Sequence, residues 1–155
     1  MGKYASLNTA IRQAVQSVSP LNPVIPSSDI PVVNWGQLYG NSPGLLLASS
    51  TQQFDGFLLV VTSDMQQANL LEHELKFFLS GQPDISILSF PDWETLPYDL
   101  FSPHEDIISR RLQTLSHLPQ FERGILIVPV ATLMQRLAPL EYVQASTLVL
   151  EAGDT

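Results

Sequence analysis

Two stretches of this 155-residue chain carry residue types able to do chemistry. Between positions 90 and 106, Asp92, Glu94, Asp99, His104, Glu105 and Asp106 are set among Phe90, Trp93, Tyr98 and Phe101, with prolines at 91, 97 and 103. A carboxylate there could act as a general base or hold a hard cation such as Mg²⁺, and His104 could return a proton. A small acidic enzyme dependent on a nucleotide or on Mg²⁺, working through the 92–104 loop, is therefore one function the residues allow. The plainer alternative is structural. Prolines stiffen a loop, aromatic anchors pack it down, and acids near a helix start are favoured by the helix dipole.

The second stretch is Gly40-Asn41-Ser42-Pro43-Gly44, a glycine-bearing turn before the apolar segment 45–48 and before the first clear strand. This is where a phosphate loop would lie. Such a loop needs glycines so that backbone N–H groups can wrap the phosphates, a lysine to neutralise them, and Ser/Thr to hold Mg²⁺. No lysine occurs between Lys3 and Lys76, and Pro43 lacks an N–H. The expectation is a degenerate turn with no nucleotide. His73 and His117 lie far apart on separate helices, with no metal-ligand spacing. Ser42, Ser49 and Ser50 sit in no G-x-S-x-G turn. Arg110-Arg111 could bind phosphate, although a solvated helix face is the simpler role. No complete catalytic or metal site is expected.

Composition narrows the function classes. Hydrophobic residues make up 45% and charged residues 14%, too apolar for a disordered chain. There are no cysteines, which excludes disulfides, thiolate metal sites and cysteine nucleophiles. Seven Lys+Arg against fifteen Asp+Glu give a net charge of −8, so the chain is poorly equipped to neutralise nucleic-acid phosphates. The longest apolar runs, 57–61 and 125–130, fall far short of the ~20 residues of a membrane helix. Residues 1–14 show no secretory signal. The expectation is a soluble cytoplasmic protein.

The elements that must position these residues follow from periodicity. Leu7, Ile11, Ala14, Val15 and Val18 suggest a leader helix, and Pro20, Pro23, Pro26 and Pro31 then prevent regular structure, making residues 1–30 a helix and tether. The run 56–61 reads as a fully buried strand. Ser63 is placed to cap the next helix with Gln66 reaching back, and Met65, Ala68, Leu71, Leu75, Phe78 and Leu79 mark its buried face before Gly81. Residues 85–90 form a second strand. Ser102 as N-cap, Pro103 at the first helical position and Glu105 at the third open another helix, with Ile108, Leu112, Leu115 and Leu118 as its buried stripe, and Pro119 ends it. A third buried strand spans 124–130, a short helix 131–137 stops before Pro139, and 147–150 is a last strand candidate. Alternating strands and helices with continuous apolar strands predict an α/β fold, a parallel sheet flanked by helices.

The segment Asp92-Trp93-Glu94-Thr95-Leu96-Pro97-Tyr98-Asp99-x-Phe101-Ser102-Pro103-His104-x-Asp106-Ile107-Ile108-Ser109-x-Arg111-Leu112 resembles the N-terminal part of the bacterial transcription-repair coupling factors. So does Gly124-Ile125-Leu126-Ile127-Val128-Pro129-Val130-x-Thr132-Leu133-Met134-Gln135-Arg136, and a weaker likeness runs from about Leu38 to Leu150. The resemblance implies a region similar to the excision-repair subunit UvrB: a degenerate P-loop-like α/β domain, here 31–137, interrupted by an inserted UvrA-binding domain that starts at 138–155 and is incomplete. Pro43 and Gly44 stand about where that loop's Lys and Thr would be. The resemblance further implies a non-catalytic piece without a cofactor, the second half of its sheet lying elsewhere. The parent would be an ATP-driven DNA translocase that displaces stalled RNA polymerase and recruits UvrA. ATP, Mg²⁺, DNA and RNA polymerase would be handled by downstream domains.

Overall fold

The computed structural model describes residues 21–95 and 103–146. The leader helix, positions 96–102 and the strand candidate at 147–150 lie outside the described residues. The chain divides into two compact units, Met1–Gly56 with His73–Asp84, and Phe57–Glu72 with Ile85–Thr155.

In the first unit, residues 21–41 carry turns and extended backbone without helix or strand, as the prolines require. Trp35 Nε1 donates to Val24 O at 3.1 Å, pinning this tether to itself. Helix α1 follows at Ser42–Gln53, with proline in its first turn. The segment 45–48, left without an assigned element by its sequence, is therefore helical. Its polar residues are also buried, since Ser50 Oγ donates to Leu46 O at 2.8 Å and Thr51 Oγ1 to Ala48 O at 2.7 Å. These hydroxyls are satisfied by the helix's own carbonyls, so they can face inward.

The second unit holds the sheet. Strands β1 (Phe57–Thr62), β2 (Ser86–Ser89) and β3 (Gly124–Pro129) are parallel, in the order β1-β3-β2. Phe57 pairs with Gly124 and Ser86 also pairs with Gly124, so β3 lies in register with both neighbours. All six residues of β3 are buried. β1 alternates instead, with Phe57 37%, Leu59 49% and Val61 47% exposed. The expected full burial of this strand is thus corrected: among the described residues β1 lies at the edge of the sheet with one face open, whereas the central position of β3 covers both of its sides. Gly124 makes the β2–β3 approach possible. Its φ is +140°, and a Cβ there would collide with Ser86 O.

Two helices connect the strands. Helix α2 (Met65–Phe78) runs from the sheet unit into the first unit. Its cap is Asp64 rather than Ser63: Asp64 Oδ1 accepts from the N–H of Gln67 at 2.8 Å, and Ser63 Oγ donates to Asp64 Oδ2 at 2.8 Å. A carboxylate one residue later reaches the N–H at the third helical position with a full negative charge, so it displaces the hydroxyl from the role. Helix α3 (Glu105–His117) starts later than Ser102 and Pro103 predict, with His104 as N-cap. Its buried positions are Arg111 and Thr114, while Leu112, expected in the stripe, is 37% exposed. Leu115 and Leu118 do pack against Phe90, Leu126 and Val128 on the sheet. A 3₁₀ turn (Leu118–Gln120) contains Pro119. After β3 come α4 (Val130–Leu133), shorter than the expected 131–137, and α5 (Leu140–Ser146), where Val143 is 1% exposed.

Candidate functional site

The acidic loop leaves the C-terminal end of β2, where ligands of parallel sheets commonly bind. Its first residues are drawn inward. Phe90 is 6% exposed and its N–H donates to Ile127 O at 2.9 Å, extending the contact with β3 by one residue. Across from it, Arg111 of α3 is only 3% exposed. Its guanidinium carbon lies 4.2 Å from the Phe90 ring centroid and 4.0 Å from that of Trp93. Nη1 donates to Pro91 O at 2.6 Å. The charge is thus held between two aromatic faces and a carbonyl, the arrangement a planar, weakly hydrated cation tolerates best. Burial pulls the Arg111 guanidinium down from its usual value and the Asp92 charge opposes that shift. The solvated face expected for Arg111 is thereby corrected, and its fork is not turned outward to a phosphate. Arg110 beside it is exposed.

Asp92 is used in the same way. Its Oδ1 accepts from the N–H of Trp93 at 2.8 Å and from Gln135 Nε2 at 2.5 Å. Thr114 Oγ1 donates to Ser89 O at 2.9 Å, completing the tie between α3 and β2. The D-W of the acidic segment, the arginine of α3 and the glutamine after β3 therefore form one clamp. Glu94 follows with φ at 57°, in the left-handed region. Pro97, Tyr98, Asp99 and Ser102 lie outside the described residues.

His104 is not brought to Asp92. Its Nδ1 accepts from the N–H of Asp106 at 3.3 Å, capping α3. The same nitrogen lies 3.4 Å from Asp106 Oδ2, with both side chains mostly exposed. An Nδ1 that accepts a backbone N–H carries no proton, so the cap and the ion pair are alternatives, and the cap agrees with the helix start. Glu94, Asp106 and Arg110 line a polar cleft of about 500 Å³ with Asn69 and Gln113. Among the described residues no group of three His, Asp or Glu side chains is placed to hold a metal ion.

In the first unit, Gly40, Asn41, Ser42, Pro43 and Gly44 form the approach to α1 and its first turn. Gly40 has φ at 57° and Asn41 is an N-cap without a side-chain bond, while Ser42 Oγ donates to Tyr39 O at 2.7 Å. Among the described residues no strand precedes this turn. A Cβ on Gly44 would lie 2.5 Å from Glu74 Oε2 and 2.7 Å from Glu74 Cβ. Glu74, 8% exposed, thus has its carboxylate against the first turn of α1, where the helix dipole favours a negative group.

Over 118 residues the chain is 44% identical to the transcription-repair-coupling factor of Escherichia coli, covering 76% of this chain and 10% of that relative. It is 42% identical over 119 residues to the factor of Haemophilus influenzae, covering 77% and 10%. The chain is homologous to transcription-repair-coupling factors. The likeness reaches the factor of Staphylococcus aureus at 27% identity over 109 residues, 70% of this chain and 9% of that one. The chain spans about a tenth of the length of the curated relatives it matches. No protein-family model matches it. No helix among the described residues is long and apolar enough to cross a membrane. The residues of this chain that composition and spacing do not single out are Thr114, Thr132 and Gln135. Both Thr132 and Gln135 stand in the second resembling segment, which hinted at their importance but not at their contacts.

Proposed function

We propose that the chain is a non-catalytic, UvrB-like module of a transcription-repair coupling factor, built on a degenerate P-loop-like framework. The observation that carries this reading is the start of α1. There is no lysine to neutralise a phosphate, Pro43 offers no N–H, and the Glu74 carboxylate lies against Gly44. A carboxylate at that place repels a nucleotide's phosphates instead of attracting them. The clamp supports the same reading, because Asp92 and Arg111 are engaged in holding the loop and His104 in capping a helix.

On this reading the parent protein is an ATP-driven DNA translocase that releases stalled RNA polymerase and recruits UvrA for excision repair. Nucleotide, Mg²⁺, DNA and polymerase are handled by other parts of the parent, and the UvrA surface begins near residue 138 and continues past it. Titration calorimetry with Mg²⁺-ATP tests the catalytic half of the proposal: no saturable heat is expected, and clear saturable binding contradicts it. UvrA binding tests the other half. A longer segment of the parent should bind UvrA more tightly than these 155 residues, and equal affinity contradicts the assigned boundary.

A further inference from the structure

The chain leaves the centre of the sheet through residues 130–137, a segment that rests on polar contacts more than on apolar ones. Among the described residues Thr132 is its only buried position and Gln135 is half-buried, whereas Val130, Leu133, Met134 and Leu137 are all exposed. Its backbone makes a single helical turn, in which the N–H of Met134 donates to Val130 O at 3.3 Å and that of Gln135 to Thr132 O at 3.0 Å. Its side-chain tie to the rest of the unit runs from Gln135 Nε2 to Asp92 Oδ1.

Three buried side-chain atoms lack a hydrogen-bond partner among the described residues, and two of them, Thr132 Oγ1 and Gln135 Oε1, lie on this segment; the third is Ser89 Oγ. All three are sealed from solvent, so water does not satisfy them where they stand. The orientation of Gln135 follows from chemistry. The Asp92 carboxylate can only accept, so the atom facing it is the NH₂ group and the unpartnered atom is the carbonyl oxygen. Thr132 is left over because of its position. A helical threonine commonly donates to a carbonyl three or four residues back, as Thr51 does to Ala48 O at 2.7 Å. Helix α4 starts only at Val130, so for Thr132 those carbonyls belong to Pro129 and Val128 of β3. A polar group buried without a partner carries a free-energy cost that exposure to water removes.

We infer that residues 130–137 form a latch with two arrangements. Closed, it seals Thr132 Oγ1 and Gln135 Oε1 without partners and holds the acidic loop through Asp92. Open, it gives both atoms to water and releases Asp92, while β3 stays folded. Asp92 Oδ1 also accepts the N–H of Trp93, so the latch and the first residues of the acidic loop are fixed or freed together. Local opening of this kind is drawn from the low-stability end of a fold, where few apolar groups are buried. The inference goes beyond the module reading and uses none of the α1 geometry.

Native-state hydrogen exchange on the 155-residue chain, read residue by residue by NMR, tests the latch. The hydrogen-bonded amides of Met134 and Gln135 should exchange at least about a hundredfold faster than those of Ile125–Val128, by an opening that low denaturant does not accelerate. Thr132→Val keeps the shape and removes the unpartnered hydroxyl, so it should slow exchange at Met134 and Gln135 by about tenfold. Asp92→Ala removes the tie and should speed exchange at the same two amides by about tenfold, without an equal change in β3. Exchange of Met134 and Gln135 in step with β3 in the unsubstituted chain overturns the inference before any variant is made. Unchanged or faster exchange in Thr132→Val overturns it too, because the hydroxyl then has a partner in the closed arrangement. An Asp92→Ala variant that speeds β3 as much as the latch shows a general loss of stability and overturns the coupling to the loop.

Discussion

Replacing Arg111 with alanine tests the clamp most directly. The substitution removes the donor to Pro91 O, a charge-assisted bond worth about 1.5–3 kcal/mol. It also removes two stacked contacts, with Phe90 at 4.2 Å and Trp93 at 4.0 Å, each worth about 0.5–2 kcal/mol. Against these stands the desolvation of a buried guanidinium, a cost the alanine variant does not carry, so the sum is smaller than its parts. A net loss of about 3 kcal/mol is expected, or a fall in Tm of roughly 6–12 °C at ~2–4 °C per kcal/mol for a chain of this size. Arg111→Lys keeps the charge but not the planar stack, and should cost about 1–2 kcal/mol. Arg110→Ala, next in sequence and exposed, is the control and should stay within ~0.5 kcal/mol. Urea denaturation of the three variants, combined with Trp93→Ala in a double-mutant cycle, gives the coupling between Arg111 and Trp93, expected at about 0.5–2 kcal/mol. If Arg111→Ala behaves like Arg110→Ala, or if the coupling is zero, Arg111 is a surface residue and the clamp does not exist.

Three further outcomes are expected. The carboxyl of Asp64 is held below its usual value first by the N–H of Gln67 and then by Ser63. Its contribution is therefore present above the unfolded-state value near 4 and is lost as the pH falls through the lower folded-state value, so Asp64→Asn should lower the neutral plateau slightly, flatten the acid limb of a stability-against-pH curve, and meet the parent chain's curve at the lowest pH. Gly124→Ala places a methyl against Ser86 O at a φ of +140°, and should cost roughly 2–4 kcal/mol or prevent soluble expression; a Tm equal to that of the parent chain contradicts the close approach of β2 and β3. His104→Asn keeps an acceptor at the start of α3, with a residue that caps better, and should hold stability or raise it by up to about 1 kcal/mol in thermal denaturation; a clear loss means that the imidazole does more than cap.

The homology to coupling factors and the α/β architecture were legible from local features of the chain. Runs of β-branched and aliphatic residues at 57–61, 85–90 and 124–130 bury too much apolar surface to be anything but strands between helices, and each strand was found within a residue or two. The acidic loop was recognisable by composition, and the weakness of the Gly40–Gly44 turn by its missing lysine. Helix starts were legible only approximately. Ser63 and Asp64, or Ser102 and His104, are neighbours that can each cap, and the choice depends on where the helix axis lies after packing.

What the local pattern does not contain is which strand becomes central. β1 and β3 are equally apolar as text, but β3 enters between the other two and is buried on both sides, while β1 lies, among the described residues, at the edge with one face open. Strand order depends on crossovers and on pairing between residues more than sixty positions apart, such as Phe57 with Gly124. Arg111 makes the same point for one side chain. A charge reads as surface until Phe90, Trp93 and Pro91 O are brought around it, and those partners lie about twenty residues away on another element. Periodicity reports what a residue prefers on average; only the tertiary structure decides whether its neighbours satisfy that preference or replace it.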